Sequence, residues 1–278
     1  MAALWPPATP PSMMRAMIDA SASTERVTGG RAVSLLRVPA VLRLASSCVA
    51  ALITGLLVGG LGTRVAMRAS AIVADDSRIG LVTENGNVVG AITTEGTLAL
   101  LIIVGLVAGL SAGLLLFVLR TVLPGRFLPL WVSIVLLAVA SPVVIDPGNT
   151  DFTIMGNRFL NVAMFTLLFP AFGFGSVWVA ERFDRWLLQW PLVRLAPLTI
   201  AGSVLGAVFG ILGLVVLASA SGPIGTLALA LVVVLGVVAA FASGGVALGA
   251  REVALVVLVA SGATGLVRFV QDARTIVG

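Results

Sequence analysis

Long and nearly uninterrupted apolar stretches constrain what this chain can fold into more than any other feature. A helix needs about 20 apolar residues to cross a bilayer, and inside the bilayer every backbone polar group must be satisfied by the protein itself. Of the 278 residues, 59% are hydrophobic and 10% are charged, whereas roughly 25% are charged in an ordinary soluble domain. Because barrel strands alternate apolar and polar residues and these stretches do not, the sequence predicts an all-α membrane protein.

The apolar stretches predict a polytopic bundle of six to seven transmembrane helices in a single domain, residues 44–278. All but the last have the length and composition of spans. The last, 253–269, is short and contains Ser261, Thr264 and two glycines, so it is either a seventh span or a re-entrant or interfacial helix. The predicted spans are 44–63, 97–119, 127–145, 159–180, 196–218, 223–249 and 253–269.

Residues 1–43 precede the first span, and we expect a flexible cytoplasmic tail with a basic juxtamembrane segment. The first part of the tail is rich in Ala, Ser, Thr and Pro and lacks sustained periodicity. Arg31, Arg37 and Arg43 follow among Leu and Val, as in a segment that lies along lipid headgroups. A cleaved signal peptide does not fit, because the apolar core is too long and Arg64 follows it.

The placement of arginines predicts the orientation, because cytoplasmic loops carry an excess of cations. With the N-terminus inside, eleven of the 17 arginines lie on the cytoplasmic side and six lie outside. Five of the eleven belong to the tail. The sequence therefore predicts a multi-pass protein of the plasma (inner) membrane with a cytoplasmic N-terminus.

The residue types that the chain lacks exclude several kinds of site. It has no His, and all 17 cations are Arg, so His-ligated haem, His-containing zinc sites, His-dependent nucleophilic catalysis and a Lys Schiff base are not possible. A single cysteine, Cys48, cannot form an intrachain disulfide. We expect no metal or cofactor. The net charge of +5 comes from arginines scattered at helix ends, so we expect no nucleic-acid binding.

The longest polar interruption, 64–96, predicts a small extracytoplasmic cap, to which a second loop at 146–158 contributes. Within it, Asn85-Gly86 lies between β-branched residues, which is a strong local signal for a β-hairpin. Glu95 lies where the second helix begins, a favourable place for an acid because of the helix dipole. The cap is therefore predicted to contain a β-hairpin.

Charged residues of these two loops form a candidate polar cluster at the outer face. Arg64 and Arg68 lie one helical turn apart, so their guanidinium groups would clamp an anion such as a lipid phosphate. Alternatively, the acids of the loops neutralise the arginines and fix the cap on the helix ends. The candidate binding residues are Arg64, Arg68, Glu84, Glu95, Asp151 and Arg158.

Glycines recur every four residues in three of the predicted spans. Residues four apart share a helix face, so each series forms a groove into which another backbone can pack closely. We expect the first, second and fifth spans to form the centre of the bundle, and a homo-oligomer or contact with other subunits is the alternative. The series are Gly55 and Gly59; Gly105, Gly109 and Gly113; and Gly202, Gly206 and Gly210.

Four short motifs, at 62–68, 84–90, 95–98 and 120–126, follow one another along the chain. In this order they resemble a family of uncharacterised multi-pass membrane proteins of high-GC actinobacteria. The resemblance covers roughly residues 55–180. It implies an architecture and a membrane location, and it implies no activity.

These features favour a non-catalytic integral membrane protein, an accessory or scaffold subunit of a cell-envelope complex. Its loops are short, its glycine grooves are extensive, and no charge lies deep inside a span, where ion-coupled transporters usually place one. The expected partners are membrane lipids and other membrane subunits.

Two other functions stay open. A transporter or flippase for an apolar or lipidic substrate needs no buried charge, and it predicts a cavity between the third and fourth spans, which contain Pro142 and Pro170. An enzyme acting on lipid headgroups at the outer face requires at least two acids of the cap to converge on an accessible pocket.

Overall fold

The computed structural model of the protein describes the chain from residue 40 onward, with gaps in the connections between helices. The predicted tail up to residue 39 lies outside the described residues, and so does Glu84 of the candidate cluster. The described residues are 40–74, 79–82, 88, 91, 93–123, 125–149, 151–154, 157–187, 189 and 192–278.

Helices account for nearly all of the described chain. One of them, α6 (Leu192–Phe241), contains Gly222 in the left-handed region at φ 72°, a conformation that glycine adopts without steric cost. Gly222 divides α6 into two halves, α6a (Ile200–Leu217) and α6b (Gly222–Phe241). In chain order the helices are α1 (Ala40–Ile72), α2 (Thr94–Val122), α3 (Leu128–Val144), α4 (Asp151–Ile154), α5 (Arg158–Leu187), α6 (Leu192–Phe241) and α7 (Gly244–Val277).

Six helices within the described residues are long and apolar enough to cross a membrane: α1, α2, α5, α6a, α6b and α7. They indicate a multi-pass membrane protein, as the sequence predicts. The 17 residues of α3 rise about 25 Å, which is less than the ~30 Å hydrocarbon core. Whether the protein has six or seven spans therefore depends on whether α3 crosses the membrane. From the sequence, the same question concerns the last stretch, 253–269.

The predicted boundary between the last two spans is wrong. We expect a break near Arg251, but the helix ends at Phe241, and α7 then runs for 34 residues from Gly244. Ser243 is extended and Gly244 has φ 62°, so the Gly-rich segment makes the turn. Arg251 lies inside α7, where its Nε donates to the Val122 carbonyl at the end of α2, at 2.9 Å.

The structure does not support the predicted β-hairpin. Among the described residues no strand forms, and Val82 and Val88 make one isolated antiparallel bridge. The turn residues 83–87, which include Asn85-Gly86, lie outside the described residues. Both valines are exposed, so no apolar face is buried at the bridge, and a two-stranded pairing without such a face has little stability of its own.

Helices α1, α2 and α6a meet at their predicted glycines. A Cβ on Gly55 of α1 would clash with the Gly105 carbonyl of α2 and lie 2.6 Å from the Gly109 Cα, so the two backbones are in direct contact. A Cβ on Gly206 of α6a would overlap the Cys48 side chain of α1. The three helices therefore pack closely at their glycines, as expected, but α6a, whose apolar window is 18% buried, flanks the centre and, among its described residues, adds no fully buried side chain to the core.

Two π-helical segments face each other at this contact, Gly55–Gly62 in α1 and Leu101–Ala108 in α2. Beyond it, the second half of α2 is the most deeply buried part of the described chain. Phe117 and Leu115 are each 1% exposed, and they belong to a core to which α3, α5, α6b and α7 also contribute. The bundle is therefore built around α2.

Candidate functional site

The predicted polar cluster is partly assembled where α1 ends and α2 begins. Arg64, half-buried on α1, donates from Nη2 to the Thr93 carbonyl at 3.4 Å. Thr93 is the N-cap of α2, where its Oγ1 accepts from the Gly96 N–H at 3.1 Å, and Glu95 is exposed in the same first turn. Within the described residues the buried Arg64 Nε has no partner, so the guanidinium retains donor capacity at this junction.

The other described members of the cluster lie on three different helices. Arg68 is exposed one turn further along α1, and Arg158 is exposed at the first residue of α5. Asp151 is buried at the start of α4, where its backbone N–H donates to Asn149 Oδ1 at 2.8 Å. Arg64 and Glu95 thus share the α1–α2 junction, whereas Asp151 and Arg158 belong to the connection between α3 and α5.

A buried hydrogen bond joins α1 to α5 at this end of the bundle. Ser70 donates its hydroxyl to Asn161 Oδ1, and both side chains are fully buried, at 0% and 1% exposed. The same hydroxyl lies 3.0 Å from the Ala66 carbonyl. Asn161 therefore faces the bundle, and its hydrogen bond fixes the end of α1 to the start of α5.

A second polar cluster, at the opposite end of α1 and α2, is not foreseen in the sequence analysis. Arg120 of α2 forms an ion pair with Asp184 of α5, and its Nη1 donates to Ser46 and Ser47 of α1 at 3.1 and 3.2 Å. The Arg120 side chain is 11% exposed and both serines are fully buried. One arginine thereby connects three helices through the fixed fork of its guanidinium.

The sequence contains only a weak signal for this cluster. From the sequence we interpret the segment Glu181-Arg182-Phe183-Asp184-Arg185-Trp186, at the end of an apolar stretch, as a charged and aromatic interfacial anchor. Arg120 has the same position at the end of another stretch. Their pairing joins residues 64 apart in the chain, and spacing within one helix does not reveal such a contact.

An apolar cavity of about 570 Å³ lies between α3, α6b and α7. Pro142 of α3 and Ile224 of α6b line it near one end, together with Ser261, Thr264 and Arg268 of α7. The transporter hypothesis predicts a cavity between the third and fourth spans, which are α3 and α5. In the structure α3 and α5 pack tightly at Gly173, where a Cβ would lie 2.8 Å from the Ser133 backbone nitrogen.

The lining of the cavity determines what it can hold. No carboxylate lines the cavity, whose polar groups are hydroxyls and one guanidinium. In the part of the chain that the structure describes, no three His, Cys, Asp or Glu residues are grouped as metal ligands would be. The arrangement can hold an apolar molecule with an anionic or zwitterionic end.

Comparison with known proteins finds no family model, no curated protein and no solved structure that matches this chain. The resemblance to actinobacterial membrane proteins therefore stays a prediction. Function has to be inferred from the chain's own residues.

The ion pair at the Arg120 end gives a direct test of the packing. Replacing Asp184→Asn leaves the Arg120 charge buried without a counter-charge, and we expect a loss of about 2 kcal/mol of stability. This is less than the ~3–5 kcal/mol typical of a fully buried pair, because the Asp184 side chain is 30% exposed. The double variant with Arg120→Met should recover part of the loss. Thermal unfolding in detergent measures both.

The matched control is Glu181→Gln, which removes an exposed acid from the same helix and should leave the midpoint unchanged. Equal midpoints for the Asp184→Asn variant and this control would show that the pair does not stabilise the bundle.

Proposed function

We propose that the protein is a non-catalytic integral membrane protein that serves as an accessory or scaffold subunit of a cell-envelope complex. The observation that carries this proposal is the surface of α7. Of the most apolar window of α7, 11% is buried inside the bundle, compared with 56% of the corresponding window of α2. A long helix with so little intramolecular packing has most of its surface available to lipid or to another protein.

The glycines of α7 favour a protein partner over lipid alone. Gly245 and Gly249 lie four residues apart on one face, and a Cβ added at either would meet nothing within 4 Å. Helix interfaces in membranes are enriched in such pairs, because small residues let two backbones approach and gain dispersion contacts. An open Gly-xxx-Gly pair in α7 therefore supports a site for a helix of another subunit or of a second copy of this chain.

A transporter or flippase for a lipidic substrate is the second candidate, and the cavity at α3, α6b and α7 is the observation that favours it. The cavity is apolar and has a cation, Arg268, at one end. Alternating exposure of such a site to the two leaflets would amount to transport. A lipid-headgroup enzyme at the outer face is less well supported, because the two described acids of the candidate cluster belong to different connections, Glu95 to the start of α2 and Asp151 to the start of α4.

The partner hypothesis is tested by purifying the full chain from its own host at native expression levels, in mild detergent, and identifying co-purifying proteins by mass spectrometry. We expect a stoichiometric membrane protein with the unmodified chain and a several-fold smaller amount with Gly249→Leu. This substitution closes the groove without a clash inside the bundle. Gly262→Leu, at another open glycine of α7, is the matched control.

Recovery of the unmodified chain alone, with defined lipid and no stoichiometric protein, would contradict the accessory-subunit proposal and favour the lipid transporter. A complex that contains only further copies of this chain would replace the hetero-subunit proposal with a homo-oligomer.

The proposed location is the plasma (inner) membrane, with the N-terminus and the Arg120 end in the cytoplasm. Single cysteines introduced into a Cys48→Ala background test this orientation. We expect a membrane-impermeant maleimide to label Leu81→Cys on intact cells and to label Gln189→Cys only after permeabilisation, since both positions are exposed in connections at opposite ends. The reverse pattern would invert the topology.

A further inference from the structure

The cavity between α3, α6b and α7 has the depth of one leaflet. Its lining on α7 runs from Val256 to Arg268, a rise of about 18 Å at 1.5 Å per residue. Half of a ~30 Å hydrocarbon core is about 15 Å. The volume of about 570 Å³ lies within the range of roughly 300–1,000 Å³ usual for small-molecule sites. One acyl chain of a single lipid matches this length.

Among the polar side chains that line the cavity, Arg268 is the one whose hydrogen-bond donors are available to a ligand. Ser261 donates its hydroxyl to the Val257 carbonyl at 2.7 Å, and Thr264 donates to the Ser261 carbonyl at 2.8 Å. Both hydroxyl protons are therefore used within α7. Within the described residues Arg268 is exposed and makes no hydrogen bond or ion pair.

Arg268 lies at the depth of lipid headgroups. Arg251, near the start of α7, is bonded to the end of α2, and 17 residues separate it from Arg268, which is a rise of about 25 Å. This is about 5 Å less than the ~30 Å hydrocarbon core, a difference that the long side chains of the two arginines can span to reach its two boundaries. Pro142 and Ile224 line the same end as Arg268, near the end of α3 and the start of α6b.

Two acids accompany this arginine. Asp272 lies four residues after Arg268, on the same face of α7, and Asp146 lies just after α3, whose Pro142 lines the same end of the cavity as Arg268. This end of the cavity therefore has one cation and two acids nearby. A purely anionic headgroup would meet both carboxylates, whereas a zwitterionic headgroup can place its phosphate on Arg268 and its ammonium group towards the acids.

We propose that this cavity binds one acyl chain of an amine-bearing zwitterionic glycerophospholipid, with the phosphate on Arg268 and the ammonium group facing Asp146 and Asp272. The inference does not rest on the accessory-subunit proposal, since a lipid held here is compatible with a partner on α7. It adds a lipid site on the α3–α6b–α7 side of the bundle, distinct from the Arg64–Glu95 junction.

The experiment is native mass spectrometry of the full chain in detergent, titrated with phosphatidylethanolamine or with phosphatidylglycerol of the same acyl composition. We expect one saturable phosphatidylethanolamine adduct. Ala260→Phe, which adds a ring at an exposed lining position, should abolish the adduct. Arg268→Gln should weaken it about tenfold, the scale of one hydrogen bond to a charged group.

Matched controls lie on the same helix. Ala263→Phe places the same ring at an exposed position outside the lining, and Arg274→Gln removes an exposed arginine nearer the C-terminus. Both should bind as the unmodified chain does, and thermal unfolding of every variant checks folding. Equal binding by all variants would overturn the proposal, and so would tighter binding of phosphatidylglycerol than of phosphatidylethanolamine.

Discussion

The contact between the backbones of α1 and α2 at Gly55, Gly105 and Gly109 is the constraint on which the rest of the bundle depends. Between helices surrounded by lipid the hydrophobic effect supplies no net attraction, so close packing and polar contacts have to hold them together. At these glycines a side chain would overlap backbone atoms of the other helix. With α1 and α6a held along α2, the second half of α2 becomes the centre of the core.

Polar contacts then fix the two ends of this centre. At one end Arg120 joins α1, α2 and α5, and at the other Ser70 and Asn161 join α1 to α5. By contrast, α6b and α7 have most of their apolar windows uncovered. The cavity and the open glycines therefore occur at the side of the bundle where intramolecular packing is weakest, which is where a ligand or partner gains most contact.

The sequence predicts the helical membrane fold and the glycine contacts because hydrophobic length and four-residue spacing are local signals. It misplaces the break near Ser243, because Arg251 interrupts the apolar pattern while its hydrogen bond to α2 lets the helix continue. It also predicts a β-hairpin from the Asn85-Gly86 turn signal, but such a signal does not supply the buried apolar face that stabilises paired strands. The Arg120–Asp184 pair and the cavity depend on contacts between helices that are distant in the chain. Such contacts leave no local pattern in the sequence, so they could not be predicted from it.

We propose that another membrane protein covers α7, and a photo-crosslinking amino acid at Leu248 would capture that protein. Leu248 is 62% exposed and lies beside Gly249, whereas Ile103 of α2, 64% exposed, is a reference position away from α7. In living cells at native expression, the account predicts a defined protein adduct from position 248 and none from position 103. Adducts with lipid alone at both positions would contradict it.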